Sequence, residues 1–380
     1  MSTTTACLAP NGMNVYRGKA ASTRLLVGTS RGVTMLERAP GGDWANAGLV
    51  LDGPHISSLA IEPVRGGVFA GVHGGGVFYS ADQGRTWEER SNGITVPHVF
   101  SVNCTVENGE PVVYAGTEPV SGFRSRDEGR TWEELPGLRD MPGKEKWMFP
   151  MPPHVAHVKT VTIDPRDPKT IYMGVEQGGL FKTRDGGSTW RELDSYSKPE
   201  DEAYRDTHQV VLRPNHPDEV YMTSGNGLYR STDGGETWTR LTERNSFRIG
   251  YPNQLIFSPE DDKTMFMCGS LSNPGTWIRL HTADATVMMS RDLGETWTIV
   301  ARGLPEPMTP NMEAMSLFAR PDGFDLFGGT TDGKVWFSED RAQTWRQIAG
   351  ELAPVSKVAH FRLLLPGAVS SRGNRPQVPR

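Results

Sequence analysis

One eight-residue pattern recurs six times along the 380 residues, and it constrains the fold more than any other feature. Its copies are Ser80–Trp87 (SADQGRTW), Ser125–Trp132 (SRDEGRTW), Thr183–Trp190 (TRDGGSTW), Ser231–Trp238 (STDGGETW), Ser290–Trp297 (SRDLGETW) and Ser338–Trp345 (SEDRAQTW). The shared formula is S/T-x-D-x-G-x-T-W, and each letter has a role in a tight turn between two strands. The aspartate can accept hydrogen bonds from backbone amides two or three residues on, closing an Asx-type turn. Gly84, Gly129, Gly187, Gly235 and Gly294 supply the positive φ of such a turn without steric cost. The tryptophan opens the next strand and buries an apolar face between sheets. Ala342 takes the glycine's place in the last copy, so that turn is expected to be strained or reshaped.

The tryptophans of successive copies are 45, 58, 48, 59 and 48 residues apart, a period close to that of four-stranded propeller blades. Each interval carries the same parts, as in ISSLAIEP, GVFAGV and GVFYS ahead of the first copy and a fourth strand from Trp87. The later units repeat them: VFSVNCTV with PVVYAGT, VKTVTIDP with TIYMGV, QVVLRP with EVYMTS, QLIFSP with TMFMCG, and AMSLFARP with DLFGGT. A seventh unit, RLLVGTS, GVTMLERA and a strand around Trp44, precedes these without the pattern and without a first strand of its own. The chain is therefore read as all-β, a single seven-bladed β-propeller with four-stranded blades over residues 23–366. The C-terminal strand KVAHFRLLLP (357–366) is expected to pair with RLLVGT and close the ring, with the MNVYR segment as the alternative latch. Residues 1–22 are read as an N-terminal arm and 367–380 as a flexible tail.

The formula resembles the Asp-box (bacterial neuraminidase repeat) signature of sialidases, sortilins, xyloglucanases and other β-propellers. That resemblance implies that the boxes are folding devices remote from any active site. Sialidase chemistry needs an arginine triad, a Tyr-Glu nucleophile pair and an acid-base aspartate. The inner strands offer no such triad, since Arg213, Arg320 and Arg362 fall near strand ends or in the latch. FRIG, Phe247–Gly250, is similar to the sialidase FRIP motif but lacks its proline and sits mid-chain. Xyloglucanases pair two such propellers around a cleft, and one propeller is read here. Photosystem assembly factors with related repeats use the fold as an interaction platform, which is the non-catalytic alternative; a glycosidase or polysaccharide lyase of the Asp-box type is a second.

Composition narrows the field further. A net charge of −5 with no long basic run argues against nucleic acid as a partner. No apolar run approaches membrane-spanning length, and the first residues lack a signal-peptide pattern, so a cytoplasmic protein is expected. Cys7, Cys104 and Cys268 form neither a CxxC pair nor an even set, which fits a reducing compartment. Gly-rich GVHGGGVF reads as strand–turn–strand rather than a phosphate loop, and no GxSxG or HExxH string occurs. Oligomeric state is not legible.

Strands alternate in direction within a blade, so the boxes share one face with the first-to-second strand turns. Histidines collect on the opposite, upper face. His55, His98 and His157 each start an inner strand in HISSL, HVFSV and HVKTV, and His208 in HQVVL is their counterpart, displaced by two residues. Asn253 and Glu313 fall near that level in the last two blades; His73, Glu118 and Glu176 sit in neighbouring turns. With sheets about 10 Å apart, seven blades give a ring of roughly 11 Å radius at most, narrow enough for inward imidazoles to meet. Neutral imidazoles with a carboxylate suit zinc, iron, manganese or copper. The expected metal ligands are His55, His98, His157 and His208, on the architectural analogy of seven-bladed carotenoid-cleaving oxygenases and oligogalacturonate lyases. Glu118, Glu176, Asp206 and Glu313 are the candidate acid–base groups. Long upper-face segments, 135–157, 194–208 and 270–287, bring Trp147, Phe149, His154, Tyr204, Tyr251 and Trp277 as walls of a binding site, with His73 beside them and Arg31 or Arg248 for an anionic group. The expectation is an enzyme with a histidine-ringed pocket at the channel mouth, using a divalent transition metal on a small polar or carbohydrate-like substrate. A metal-dependent hydrolase, lyase or oxygenase is favoured over a sialidase.

Overall fold

The structure is a computed structural model, and it describes residues 4–39, 42–150, 153–194, 196, 205–243 and 246–357. Seven sheets of four core strands follow one another around a channel, with a single seven-residue helix, Pro274–Leu280, on a loop of the sixth. This is the seven-bladed propeller. No helix among the described residues is long and apolar enough to cross a membrane. The inner strands of blades 2 to 7 are His55–Ile61, His98–Glu107, His157–Asp164, Thr207–Arg213, Tyr251–Phe257 and Met312–Arg320.

All six boxes form one hydrogen-bonded turn. In the first, the Ser80 hydroxyl donates to Asp82 Oδ1 (2.8 Å) and accepts from the Gly84 amide (2.8 Å). Thr86 donates its amide to Asp82 Oδ1 (2.9 Å) and its hydroxyl to Oδ2 (2.7 Å). The same four bonds recur at the other five boxes, so the aspartate's main partner is the threonine four residues on. The last box keeps this shape. Ala342 adopts φ +63, donates to Ser338 Oγ at 3.1 Å and is fully buried, so the turn is strained but not reshaped.

Ring closure differs from the sequence expectation. Thr5–Leu8 pairs in parallel with Arg24–Val27, whose other edge is taken by the following strand, so both edges of RLLVGT are occupied. The N-terminal segment thus supplies the missing inner strand of blade 1 in place of the expected latch, 357–366, of which Lys357 alone is among the described residues. The arm then continues into the channel. Asn11–Gly12 lies along Ser58–Leu59, and Val15–Arg17, within the alternative latch MNVYR, lies along Leu317–Ala319 of blade 7. Asn11 Nδ2 donates to Phe100 O (3.1 Å), Asn14 Nδ2 to Gln254 Oε1 (2.8 Å), and Gln254 Nε2 to Pro10 O (2.6 Å). Gly12 is required there, because its φ is +96 and a Cβ would stand 2.4 Å from Leu59 O.

Two predictions concern the boxes. Gly235 has φ +95, and a Cβ on it would meet Leu193 Cδ1 at 2.5 Å; Gly235→Ala is expected to cost about 1–2 kcal/mol from the left-handed backbone alone, plus the clash. Ala342→Gly is expected to be near neutral, because relief of a similar strain is offset by about 0.8 kcal/mol of lost methyl burial. Chemical denaturation of both variants checks this. At Asp185 the Thr189 hydroxyl and amide and the Thr183 hydroxyl lower the carboxyl to about 2, and at Asp82 and Asp233 similar bonds overcome partial burial to the same result. A carboxyl depressed in the folded state stabilises it fully above the unfolded value of 3.8 and loses that contribution as the pH falls through the folded one. Urea unfolding should therefore show stability dropping between about pH 5 and pH 2. Asp185→Asn should be less stable at neutral pH and should lose less on acidification.

Candidate functional site

The pairing register puts the start of each inner strand opposite the end of its neighbour: His55 faces His73, His98 faces Glu118, and His157 faces Glu176. The upper face therefore gathers these residues as expected. Each inner strand of blades 2 to 7 also slips register shortly after its start, between Ile56 and Ser58, Val99 and Ser101, Val158 and Thr160, Thr207 and Gln209, Pro252 and Gln254, and Met312 and Ala314. A bulge re-aims its extra residue, a common device beside functional sites. The six extra residues are Ser57, Phe100, Lys159, His208, Asn253 and Glu313. This explains the two-residue displacement of His208: it occupies the bulge, and Asp206 takes the place that His157 has in blade 4.

The cluster has an open and a closed half. In the open half His55, His73 and His98 are half-buried, with ring centroids 5.7 Å apart for the first pair and 4.6 Å for the second. Burial first, then the neighbouring imidazoles His98 and His55, lowers His73 to about 4, so it is neutral at pH 7. The Nδ1 atoms of His73 and His98 are buried and have no hydrogen-bond partner among the described residues. Phe100 stands edge-on to His73 (5.2 Å) and stacks on His157 (3.8 Å). His157 joins the halves: its Nδ1 is 3.2 Å from Glu118 Oε2 and its Nε2 2.7 Å from Glu176 Oε2.

The closed half is centred on Glu176, which is completely buried. Lys159 Nζ lies 3.2 Å from Glu176 Oε1, and Lys357 Nζ donates to the same oxygen. Burial works against the Glu176 carboxylate, but Lys159, Lys357 and His157 outweigh it and hold its pKa well below the usual range. Burial also brings Lys159 down to about 8 against the pull of Glu176, and pushes Glu313 up against the pull of Lys357 and Lys159. His208 Nδ1 donates to Pro252 O (2.6 Å), and its Nε2 lies 3.3 Å from Asp206 Oδ2 and 3.9 Å from Glu176 Oε1. Burial, then the charge on Lys159, lowers His208, whereas His208 more than offsets burial at Asp206 and lowers it.

Residues 354–357 lay the last described stretch across this mouth. Pro354 O accepts from Ser30 N (2.8 Å), Val355 N donates to Thr330 O (3.2 Å), and Ser356 O is 2.6 Å from His55 Nε2. Because a carbonyl only accepts, His55 Nε2 carries the proton. Lys357 then spans from the rim of blades 1 and 7 to Glu176 of blade 4.

The expected four-histidine ring does not converge. Among the described residues, no three of His55, His98, His157 and His208 bring ligand atoms within 4.8 Å of one another. His55 is spent on Ser356 O, His157 on Glu176 and His208 on Pro252 O. Two other groups do meet within that distance: His73, His98 and Glu118, and Glu176, Asp206 and His208. The candidate acid–base residues Glu118, Glu176, Asp206 and Glu313 are all buried at the axis. The loop residues are mostly anchors. Trp147 packs on Phe181 (5.0 Å), Tyr251 lies between His208 (4.4 Å) and Trp277 (5.7 Å), and Arg248 pairs with Asp284 (3.0 Å). His154 is exposed and bonds Phe149 O at 3.1 Å; Arg31 is exposed on a turn of blade 1, and Tyr204 lies outside the described residues. Sequence reasoning missed Lys159 and Lys357, whose signal was a lysine inside an otherwise apolar strand, as in HVKTV.

Comparison with known proteins gives the kinship. A family model described as BNR/Asp-box repeat matches residues 78–89, and one described as sortilin, neurotensin receptor 3, matches 180–313. An oligoxyloglucan-reducing end-specific xyloglucanase of Emericella nidulans is 22% identical over 211 residues, which is 51% of this chain and 24% of that protein. Among solved structures, an ancestral GH74 enzyme superposes with a TM-score of 0.62 at 16% identity, over 78% of this chain and 39% of that one. The GH74 xyloglucanase from Xanthomonas campestris gives 0.56 at 14% identity, over 78% and 45%. YCF48 bound to D1 peptide gives 0.54 at 15% identity, over 86% of this chain and 88% of that one. The chain thus spans about a quarter of the curated relative and less than half of either GH74 structure. Six hydrogen-bonded boxes in six of the seven blades, one of them matched by the repeat model, make this a β-propeller that carries the Asp-box repeat, the fold it shares with these structures.

Proposed function

We propose that the channel mouth opposite the boxes is the active site of an enzyme that acts on a small polar or carbohydrate-like substrate, with a divalent transition metal as cofactor. The observation that carries this reading is the row of half-buried imidazoles, His55, His73 and His98, that leads to the carboxylate–imidazole–carboxylate chain Glu118–His157–Glu176. Imidazoles in such a row, beside the Glu118 carboxylate, can take up and release a proton at the mouth, as general acid–base hydrolysis or elimination requires. Similarity to xyloglucanases supports a saccharide ligand, and the absence of an arginine triad from the inner strands argues against sialidase chemistry. Three buried free cysteines fit a cytoplasmic, reducing setting.

The near-complete mutual coverage with YCF48 in its D1 peptide complex favours a second reading, a non-catalytic platform for a protein segment. The two readings part on the open half of the cluster. The full chain is incubated with a panel of oligosaccharides, xyloglucan fragments among them, and products are separated by chromatography. His98→Gln is expected to lower turnover by about 10²–10⁴-fold, the range of a lost proton-transfer group, with little change in stability. Glu176→Gln leaves two ammonium groups buried without their carboxylate and is expected to cost about 3–5 kcal/mol in denaturant unfolding. Turnover that survives His98→Gln unchanged, or a panel that yields no product, counts against the enzyme reading and leaves the platform.

A further inference from the structure

We infer that His73, His98 and Glu118 form a mononuclear binding site for a first-row divalent cation, zinc, iron(II) or cobalt, at the junction of blades 2 and 3. The inference rests on the reading of the upper mouth as the active site only for what the ion would do there. Its geometry stands alone. His73 ends the second strand of blade 2, His98 starts the inner strand of blade 3, and Glu118 ends the strand paired with it. One ligand atom from each lies within 4.8 Å of the other two. Tetrahedral donors around an ion at bond lengths of about 2.0–2.2 Å stand roughly 3.4 Å apart, so movements of about 1 Å close the set.

The second observation is the pair of unsatisfied nitrogens. Buried polar atoms without partners are uncommon, and here the Nδ1 atoms of two imidazoles whose rings lie 4.6 Å apart have none among the described residues, beside a buried carboxylate. Two imidazoles and one carboxylate are donors suited to these metals and unsuited to magnesium or calcium. The surroundings fit as well. His157 Nδ1 stands 3.2 Å from Glu118 Oε2, and Phe100 walls the site with an apolar ring. Three protein donors leave a coordination position free for water or substrate, as in catalytic rather than structural sites.

The neighbouring group, Glu176, Asp206 and His208, is a poorer host for a cation. Glu176 already carries Lys159 and Lys357 on one oxygen, so an arriving ion would meet two ammonium groups.

The test uses the full chain, stripped by a chelator and dialysed. Zinc titrated by calorimetry is expected to bind at one equivalent, and cobalt to give the absorption bands of a low-symmetry nitrogen–oxygen site. His73→Gln, His98→Gln and Glu118→Gln are each expected to weaken zinc binding by 100-fold or more, whereas Asp206→Asn leaves it unchanged. Unfolding curves of the metal-free variants confirm that each is folded, and the wild-type stoichiometry and cobalt spectrum stand independently of them. Absence of zinc binding by the wild type overturns the proposal, as does binding that survives the double variant His73→Gln, His98→Gln or is lost in Asp206→Asn. Zinc binding without turnover keeps the metal site and removes the enzyme reading. Turnover that ignores chelation yet is lost in His98→Gln keeps the enzyme and removes the metal.

Discussion

The structure depends on how closely one blade can lie against the next at the upper end of the channel. Where the inner strand of a following blade crosses, the second strand repeatedly carries glycine. A Cβ on Gly28 would stand 2.9 Å from Ile56, on Gly71 2.9 Å from Val99, on Gly116 2.4 Å from Val158, and on Gly174 2.6 Å from Thr207. Any larger side chain would push the sheets apart where the ring is narrowest. Hydroxyls and amides fix the contact: Ser57 Oγ donates to Val99 O (2.6 Å), Ser101 Oγ to Val158 O (2.8 Å), and Thr162 Oγ1 to Val210 O (2.7 Å). The inner strands bulge at this same level, and six side chains are re-aimed in the space so left. Close packing and the concentration of polar groups at the mouth are therefore one phenomenon.

Much of this was legible in the chain itself. The box formula announces a tight turn closed on its aspartate, although the aspartate's main partner is the threonine four residues on rather than the expected amides two or three residues on. The face bias of the histidines was legible for a related reason: strand alternation ties His55 to His73 and His98 to Glu118 without any knowledge of packing. The bulges were not legible, since an extra residue leaves no mark in an apolar run such as HVFSV. That is why His208 read as a displaced copy of His157 rather than as the bulge residue matching Lys159. Ring closure was hidden for a different reason. TACL is too short to stand out from an arm, and strand pairing depends on where a chain end enters the channel, which local periodicity does not encode. Aromatic residues of the long loops misled because a tryptophan that walls a site and one that pins a loop have the same sequence signature. Trp277, fully buried, with its indole N–H donating to Ser272 O, is of the second kind.

Both ends of the described chain enter the channel, and they do so from opposite needs. The arm brings backbone and amide groups, from Thr5 to Arg17, to inner strands whose edges would otherwise be left without partners. The last residues bring a charge. Lys357 reaches a carboxylate that a single lysine, Lys159, would share with His157, and the two ammonium groups with the His157 hydrogen bond let Glu176 stay ionised with no exposure to water. A buried carboxylate with fewer partners would take up a proton instead.

This division of charge decides what the two halves of the cluster can do. A group whose every lone pair and proton is already matched is rigid and inert, because any reaction must first break a buried ion pair at a cost of several kcal/mol. Glu176, with its two lysines and one histidine, is such a group, and it serves as the keystone on which blades 4, 5 and 7 agree. Reactivity needs the opposite condition, donors held in place but not yet satisfied. His73 and His98 meet it: their rings pack on each other, His73 also meets Phe100, and their Nδ1 atoms have no hydrogen-bond partner among the described residues. Glu118 lies on the boundary, tied to the keystone through His157 and facing the open imidazoles on its other side. A change at the mouth can thus reach the axis through one imidazole, and the same imidazole keeps the open half in register with the part of the structure least able to move.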